Sequence, residues 1–582
     1  MESHLGPLAE PPAAGGGAAY GRLLARIRGG SSLPALLLLP LLLVLIGYPL
    51  FLLVTMAFNT GDPEQIPVVQ FGLGGFPEVL QHLNWVANSL LVSVSAMLLA
   101  TGIAVVLAWI LYRTTVPGRR VFEVLVAIPY PIGPLVGALA WSELGSPRAG
   151  LLNQIFTSLT GQHVTLVNTY SVAGIVFVMA IFEAPVAVLM IGAAMRRMDP
   201  SLEECSMILG AGNARTALRI TLPLMLPAIL SAALFLFASM MGAFAIPTIL
   251  GANSRFYVAT TAIYMLFQGY PPDYPLAAAL GVVMIAITVL AVLLYGRAVR
   301  GRSYAVISGR TYRPRPIDMR GWTPFLFLFE CLYVLIALVL PLGVLILASF
   351  QHSSELSLAA SSWTLQNYHY VLIDFPTTRE AIVNSLILGV GTGTLGVALA
   401  TVIAWVVYRT RGRGRGLLEQ VTMAPQAMPR LILAVGLLWM VLTLPINIYG
   451  TIFAVLLAYV IVFLPLAFRT LSGVVVQIDR SLEEASRVVG AGWLRTMASI
   501  NLPLLRSGLL AAWVLLFMIS VREVSASLFL SGASTRVLGP AIFNFWDSGG
   551  LPRVSALAVV QAAIVLVALL VVRRVTREEM SA

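Results

Sequence analysis

Charge is scarce in this sequence. Of its 582 residues only 10% are Asp, Glu, Lys or Arg, against roughly a quarter in a soluble protein. With 59% hydrophobic residues and a mean hydropathy of +0.91, too little polar surface exists to solvate a globule of this length. Lysine is missing altogether, and all 36 basic residues are arginine. A phosphate-binding P-loop needs a lysine to reach the nucleotide, so the chain carries no ordinary ATP site. Two cysteines, Cys205 and Cys331, are too few for a disulfide framework or a thiolate cage. The five histidines are scattered with no pair at ligand spacing. No resident metal or cofactor is expected, and no nucleophile–base constellation marks the chain as a catalyst.

What is there is a series of apolar runs, each long enough for a helix to cross a bilayer, which takes about 20 residues. They fall at 33–58, 87–112, 121–145, 170–192, 223–250 and 276–296, then at 323–349, 382–408, 416–442, 449–468, 503–530 and 554–572. The pattern predicts an all-α integral membrane protein of twelve spans. Residues 1–32 read as a Gly/Ala/Pro-rich disordered tail, 33–296 as a first half and 297–322 as an Arg-rich linker. Residues 323–573 read as a second half and 574–582 as a tail. The run Leu33–Phe58 reads as an uncleaved first span, being long and followed by no convincing cleavage site.

The net charge of +11 reflects topology rather than nucleic acid. If both termini and the alternate loops are cytoplasmic, 29 arginines lie on that side and five on the other, with Arg430 and Arg522 inside spans. That asymmetry follows the positive-inside rule and predicts that both termini are cytoplasmic. The linker arginines read as topology signals that also suit contact with membrane lipid.

The halves repeat each other. Asn88-Ser89-Leu90 matches Asn384-Ser385-Leu386, Tyr112-Arg113-Thr114 matches Tyr408-Arg409-Thr410, and Pro129 matches Pro425. Residues 199–224 match 479–504 at 15 of 26 positions, at a shorter offset that leaves about 16 extra residues in the first half, assigned to loop 146–168. Each half has an even number of spans, so the repeats insert in parallel, with a path between them.

The strongest match is a polar loop, where divergence is the norm. Ser201-Leu-Glu203-Glu204 and Ser481-Leu-Glu483-Glu484 have capping-box spacing. Gly210 and Gly212, with Gly490 and Gly492, suit helix ends that need a left-handed residue. Arg215 and Arg495 follow, and Leu222-Pro223 and Leu502-Pro503 mark re-entry into the membrane. The expected product is a short capped helix, a turn and a second short helix leading into a span, once per half.

Glu204-Cys-Ser-x3-Gly210-x9-Ile220-x-Leu-Pro223 and Glu484-Ala-Ser-x3-Gly490-x9-Ile500-x-Leu-Pro503 resemble the EAA loop of ABC importer permeases. Cys205 stands where that family usually has alanine. The resemblance implies the type I importer fold, alternating access, and loops that act as coupling helices on two ATP-binding cassette subunits. It also implies a periplasmic substrate-binding protein. Tyr170-Ser-x-x-Gly174, Thr260-Thr-Ala-Ile-Tyr264 and Arg522-Glu-Val-Ser-Ala-Ser527 are similar to stretches of the fused iron(III)-type permeases. Ferric iron is the implied cargo, with thiamine, a polyamine, a phosphonate or a sugar phosphate as alternatives. An ion-gradient-driven carrier also fits twelve spans, but does not account for two such loops.

Charges inside spans are costly and mark functional candidates. Glu183, Arg430, Arg522 and Glu523 are assigned to the path, with a structural Glu183–Arg430 pair as the competing reading. Arg522 and Glu523 align with Gly242 and Ala243, so their charge is confined to one half. Glu330, near one end of its span, is expected to reach water. His163, His369 and Tyr370 in outer loops read as solvated surface.

Overall fold

The computed structural model describes residues 33–581 except 64, 200, 300–316, 318, 354–361 and 411–413. The expected N-terminal tail and most of the linker therefore lie outside the described residues. Among the described residues ten helices are long and apolar enough to span a bilayer, and two bent pairs, each taken as one span, bring the number to twelve. They are α1 (Leu37–Ala57), α2 (Leu83–Arg113), α3 (Arg119–Ile132 with Pro134–Gly145), α4 (Val172–Arg197), α5 (Ala217–Met241) and α6 (Tyr274–Arg297). The second half repeats them as α7 (Thr323–Ser349), α8 (Pro376–Arg409), α9 (Arg415–Ala427 with Arg430–Thr443), α10 (Ile452–Gln477), α11 (Met497–Val521) and α12 (Leu551–Val571). The final helix continues to Ser581. The extra residues of the first half form a short helix, Leu151–Thr160, held by the Asn153 amide on the Ser146 and Val167 carbonyls.

Proline sets the local geometry. Among the described residues five π-helical turns occur, at Leu43–Gly47, Ala217–Thr221, Leu335–Val339, Tyr370–Asp374 and Met497–Asn501. Each ends two residues before a proline: Pro49, Pro223, Pro341, Pro376 and Pro503. Proline offers no N–H and its ring collides with the carbonyl four residues back; a wider turn relieves the collision, and at four of the five the helix runs on, whereas after Asp374 it breaks at the extended Phe375.

The two halves exchange contacts. Within each, spans two, four and five pack together, while span one crosses to the bent third span of the other half: α1 on α9 and α7 on α3. Tyr48 in α1 donates its hydroxyl to Thr443 Oγ1 at 3.2 Å, and Tyr333 in α7 donates to the Ile181 carbonyl of α4 at 2.9 Å.

The sequence reads 121–145 and 416–442 as continuous spans, whereas the helices bend by 96° and 112°. Similarly, 223–250 and 503–530 break: α5 stops at Met241 and helix resumes at Ala245–Gly251, and α11 stops at Val521 and resumes at Ser527–Leu530. Non-helical backbone at this depth is tolerated only when buried in protein, and here each bend covers the other half's break. The α3 bend at Gly133 (φ +106°) lies against Arg522, and the α9 bend at Pro429 lies against Gly242. A methyl group on Gly242 would come within 2.9 Å of Pro429 Cα, so backbone meets backbone. Gly242→Val should therefore lower stability by about 1–3 kcal/mol through overpacking, visible as a reduced thermal midpoint in detergent. An unchanged midpoint would show that the halves are not in contact here.

Candidate functional site

The two polar loops fold alike. The helices Ser201–Ile208 and Arg480–Val488 begin on an aspartate: Asp199 and Asp479 each accept the backbone N–H of Ser201 and Ser481 at 2.9 Å. This corrects the serine-capped reading, because an acid placed earlier takes the first free donor. That bond holds the exposed Asp479 carboxyl below its usual range. The cap is accordingly complete above the ordinary carboxylate pKa and lost as pH falls through the depressed value.

Both helices end as expected at a left-handed glycine, Gly210 (φ +84°) and Gly490 (φ +82°). The Ala211 N–H bonds the Ser206 carbonyl and the Ala491 N–H bonds the Ser486 carbonyl, closing a Schellman turn each time. Below the turn, the Ser206 and Thr216 hydroxyls pair at 2.9 Å, and Ser486 with Thr496 at 2.8 Å.

The adjacent glutamates face opposite ways. Glu203 is buried and meets Arg113, the fully buried last residue of α2, at 2.9 Å. Its other oxygen accepts the Thr221 hydroxyl at 2.5 Å, tying the loop helix to the start of α5. Glu483 repeats the pair with Arg409 at the end of α8, at 3.4 Å. Arg409 also donates to the carbonyl of Val475 in α10 and to that of Ile478 just beyond its end. Glu204 is half-buried, whereas Glu484, Arg215 and Arg495 are exposed, as are Gly212 and Gly492. Beside them stands an apolar ridge absent from the sequence-based site: Ile208 and Leu209 in one loop, Val488 and Val489 in the other, all more than 80% exposed. Apolar side chains this exposed at matched places mark an interaction surface.

The four in-span charges come together at the centre. Arg430 pairs with Glu523 at 3.4 Å and not with Glu183, so the competing ion-pair reading fails. Glu523 also accepts the Ala526 N–H at 3.2 Å, bridging the α11 break. Arg522 donates to the Tyr130 carbonyl and lies 4.4 Å over the Tyr130 ring. That carbonyl would ordinarily bond residue 134, but Pro134 has no N–H, and the guanidinium takes its place. Glu183 receives only a long 3.5 Å bond from Ser239, leaving Oε2 unsatisfied. All four charges line one cavity of about 60 Å³.

Away from the loop helices, aromatic rings close that cavity. Phe244 lines it and packs on Tyr264 and Phe543 at 5.3 and 5.4 Å, and those two meet edge to face at 5.7 Å. Tyr264 belongs to the first half and Phe543 to the second, so neither half closes the path alone. Beyond them lies an outer cavity of about 470 Å³ lined by Gln268, Arg536 and Asn544.

The remaining candidates lie elsewhere. Glu330 is wholly buried with both carboxylate oxygens unsatisfied, contrary to the expectation that it reaches water. His163 is exposed, His369 pairs with Asp374 at 2.8 Å, and Tyr370 lies beneath Arg553 at 3.9 Å.

The clamp predicts non-additive energetics. Arg113→Met strands Glu203 without its cation and should cost about 3–5 kcal/mol, whereas Arg113→Met with Glu203→Met should recover most of it. Thermal midpoints of the three variants test this; a double variant no better than Arg113→Met would contradict a buried pair.

Comparison with known proteins places this geometry. The chain is 27% identical over 541 residues to the ferric transport system permease protein FbpB of Actinobacillus pleuropneumoniae, covering 90% of this chain and 76% of that one. It is 25% identical to the Fe(3+)-transport system permease protein FbpB 2 of Haemophilus influenzae, covering 87% and 92%. The spermidine/putrescine transport system permease protein PotC of Haemophilus influenzae is 28% identical, covering 41% of this chain and 92% of that one. Among solved structures, a bacterial ABC transporter involved in the import of the acidic polysaccharide alginate matches 49% of this chain and 96% of its own, at 20% identity and a TM-score of 0.39. The family model of the binding-protein-dependent transport system inner membrane component matches twice, over residues 100–304 and 393–578. This chain belongs to that family, one copy in each half, and is an ABC importer permease.

Proposed function

We propose that the chain forms the whole transmembrane path of a ferric-iron importer, with two separate ATPase subunits docked on its loop helices and a periplasmic binding protein on the opposite face. The observation that carries this reading is the matched pair of loop helices. Each presents an exposed apolar ridge outward and a buried glutamate inward, so a docked subunit would push on a helix fixed to the end of a long span. The arginine asymmetry supports cytoplasmic loops and termini in a bacterial inner membrane. Ferric cargo is supported by the names of relatives that align along most of this chain.

Transport then follows from geometry. Approach of the two ATPase subunits brings the loop helices together. The Arg113–Glu203 and Arg409–Glu483 pairs carry that movement into α2 and α8. Because the aromatic closure is shared between halves, their relative movement opens it and admits cargo to the central cavity. With no lysine for a P-loop, ATP hydrolysis belongs to the partners.

The glycine turns give the test. A Cβ at Gly210 or Gly490 meets nothing within 4 Å, so substitution acts through the backbone alone. Valine at positive φ is strongly disfavoured, whereas asparagine tolerates it. Gly210→Val with Gly490→Val should abolish ATPase co-purification and reduce uptake at least about fivefold, the effect of roughly 1 kcal/mol. The double asparagine variant should retain both. Equal behaviour of the valine variant and the parent would remove these turns from the docking surface.

A further inference from the structure

A second cavity, of about 80 Å³, lies on the loop-helix side of the central one, and Arg430, Ser239 and Gly242 line both. It is bounded also by Tyr130, Gln426 and Arg469. Arginines are therefore staged along the path: Arg522 in the central cavity, Arg430 at the junction and Arg469 beyond it. Only two carboxylates, Glu183 and Glu523, line the same space. Glu523 is committed to Arg430 and the Ala526 N–H, and the lining as a whole carries excess positive charge.

We propose that the cargo crosses as a compact anionic complex, a ferric ion already ligated by oxyanions, and is handed from Arg522 and Arg430 to Arg469. This rests on the ferric reading above and specifies its chemical form. A bare trivalent cation entering here would face guanidinium groups with their charge confined in a weakly screening interior. It would also find few replacements for its water ligands, since of the two lining carboxylates Glu523 is already paired and only Glu183 has an unpartnered oxygen. Among the described residues no group of three or more His, Cys, Asp or Glu side chains is gathered to hold a metal ion.

An oxyanion complex reverses both objections. Guanidinium is planar and donates two parallel bonds to carboxylate or phosphate oxygens. Arg522 Nε is buried without a partner, a donor still available beside the cavity. The ion's coordination would be completed by the ligands that travel with it. A polyamine, itself a polycation, is disfavoured by the same lining. Both cavities are smaller than such a complex, so the present conformation is closed and the site widens as the halves separate.

The test is uptake into proteoliposomes holding the full importer, with radioactive iron supplied together with isotope-labelled phosphate or citrate. The expected result is entry of iron and one labelled anion in a fixed ratio. Arg469→Gln, at an exposed side chain whose loss leaves the packing intact, should reduce both by about tenfold, the size of one lost charge-assisted hydrogen bond. Arg469→Lys should retain part of the rate, and Arg430→Gln, combined with Glu523→Gln so that no buried carboxylate is stranded, should behave as Arg469→Gln. Iron entering while both labels stay outside would overturn the anionic form and leave the ferric assignment standing. Labelled anion entering without iron would do the reverse. If neither enters while loaded binding protein still stimulates the ATPase, both fail. Parental uptake in both glutamine variants would overturn the arginine relay.

Discussion

The buried contact between an arginine at the end of a long span and a glutamate in a loop helix is the constraint on which the rest depends. A polar loop beneath a membrane domain has little to hold it, since its own hydrogen bonds are satisfied equally well by water. Burying Glu203 against Arg113, and Glu483 against Arg409, makes the loop helix an extension of α2 or α8. Once desolvated, neither charge can leave its partner without a penalty of several kcal/mol. The exposed ridge of Ile208, Leu209, Val488 and Val489 thereby becomes a handle on the spans.

Pseudo-symmetry is close at the loops and gives way at the centre. The tyrosine–glutamate contacts Tyr112–Glu123 and Tyr408–Glu419 repeat, and so do the hydroxyl pairs behind the glycine turns. At the heart of the path the first half offers Gly242 where the second offers Arg522. Both positions lie at a helix break facing the other half's bend, but one is filled by Pro429 and the other by a guanidinium. Matched loops suit the pair of docked subunits proposed above. A cargo occupying the axis imposes no such equality, and charge gathered on one side gives it an orientation.

Much of this was legible in the sequence. Hydropathy revealed the spans, and the repeat exposed both loops and the equivalence of Arg113 with Arg409 and of Glu203 with Glu483. A repeat reports which residues are equivalent, not which touch, so the clamp formed between two matched blocks stayed hidden. Averaging hydropathy also concealed the bends, because Ile132-Gly-Pro134 interrupts hydrogen bonding without interrupting apolarity. Arg522 was recognisable as a costly in-span charge, but its bond to the carbonyl that Pro134 leaves free depends on two segments nearly 400 residues apart. The serine caps were misassigned because S-L-E-E has the spacing of a capping box while an aspartate just upstream competes for the same donor. The π-turns had a signal in the recurring prolines that hydropathy does not weigh.

If the buried clamps transmit movement of the loop helices, as proposed, the opposite face should respond to events at the loops. Gln268 and Asn544 are exposed residues from different halves that line the outer cavity. Spin labels on Gln268→Cys and Asn544→Cys, with Cys205 and Cys331 replaced by serine, report their separation by pulsed electron resonance in the assembled importer. This distance should increase when ATP is trapped on the docked ATPase subunits, and stay at its resting value once both clamps are replaced by methionine pairs. An equal increase with the clamps removed would contradict transmission through them.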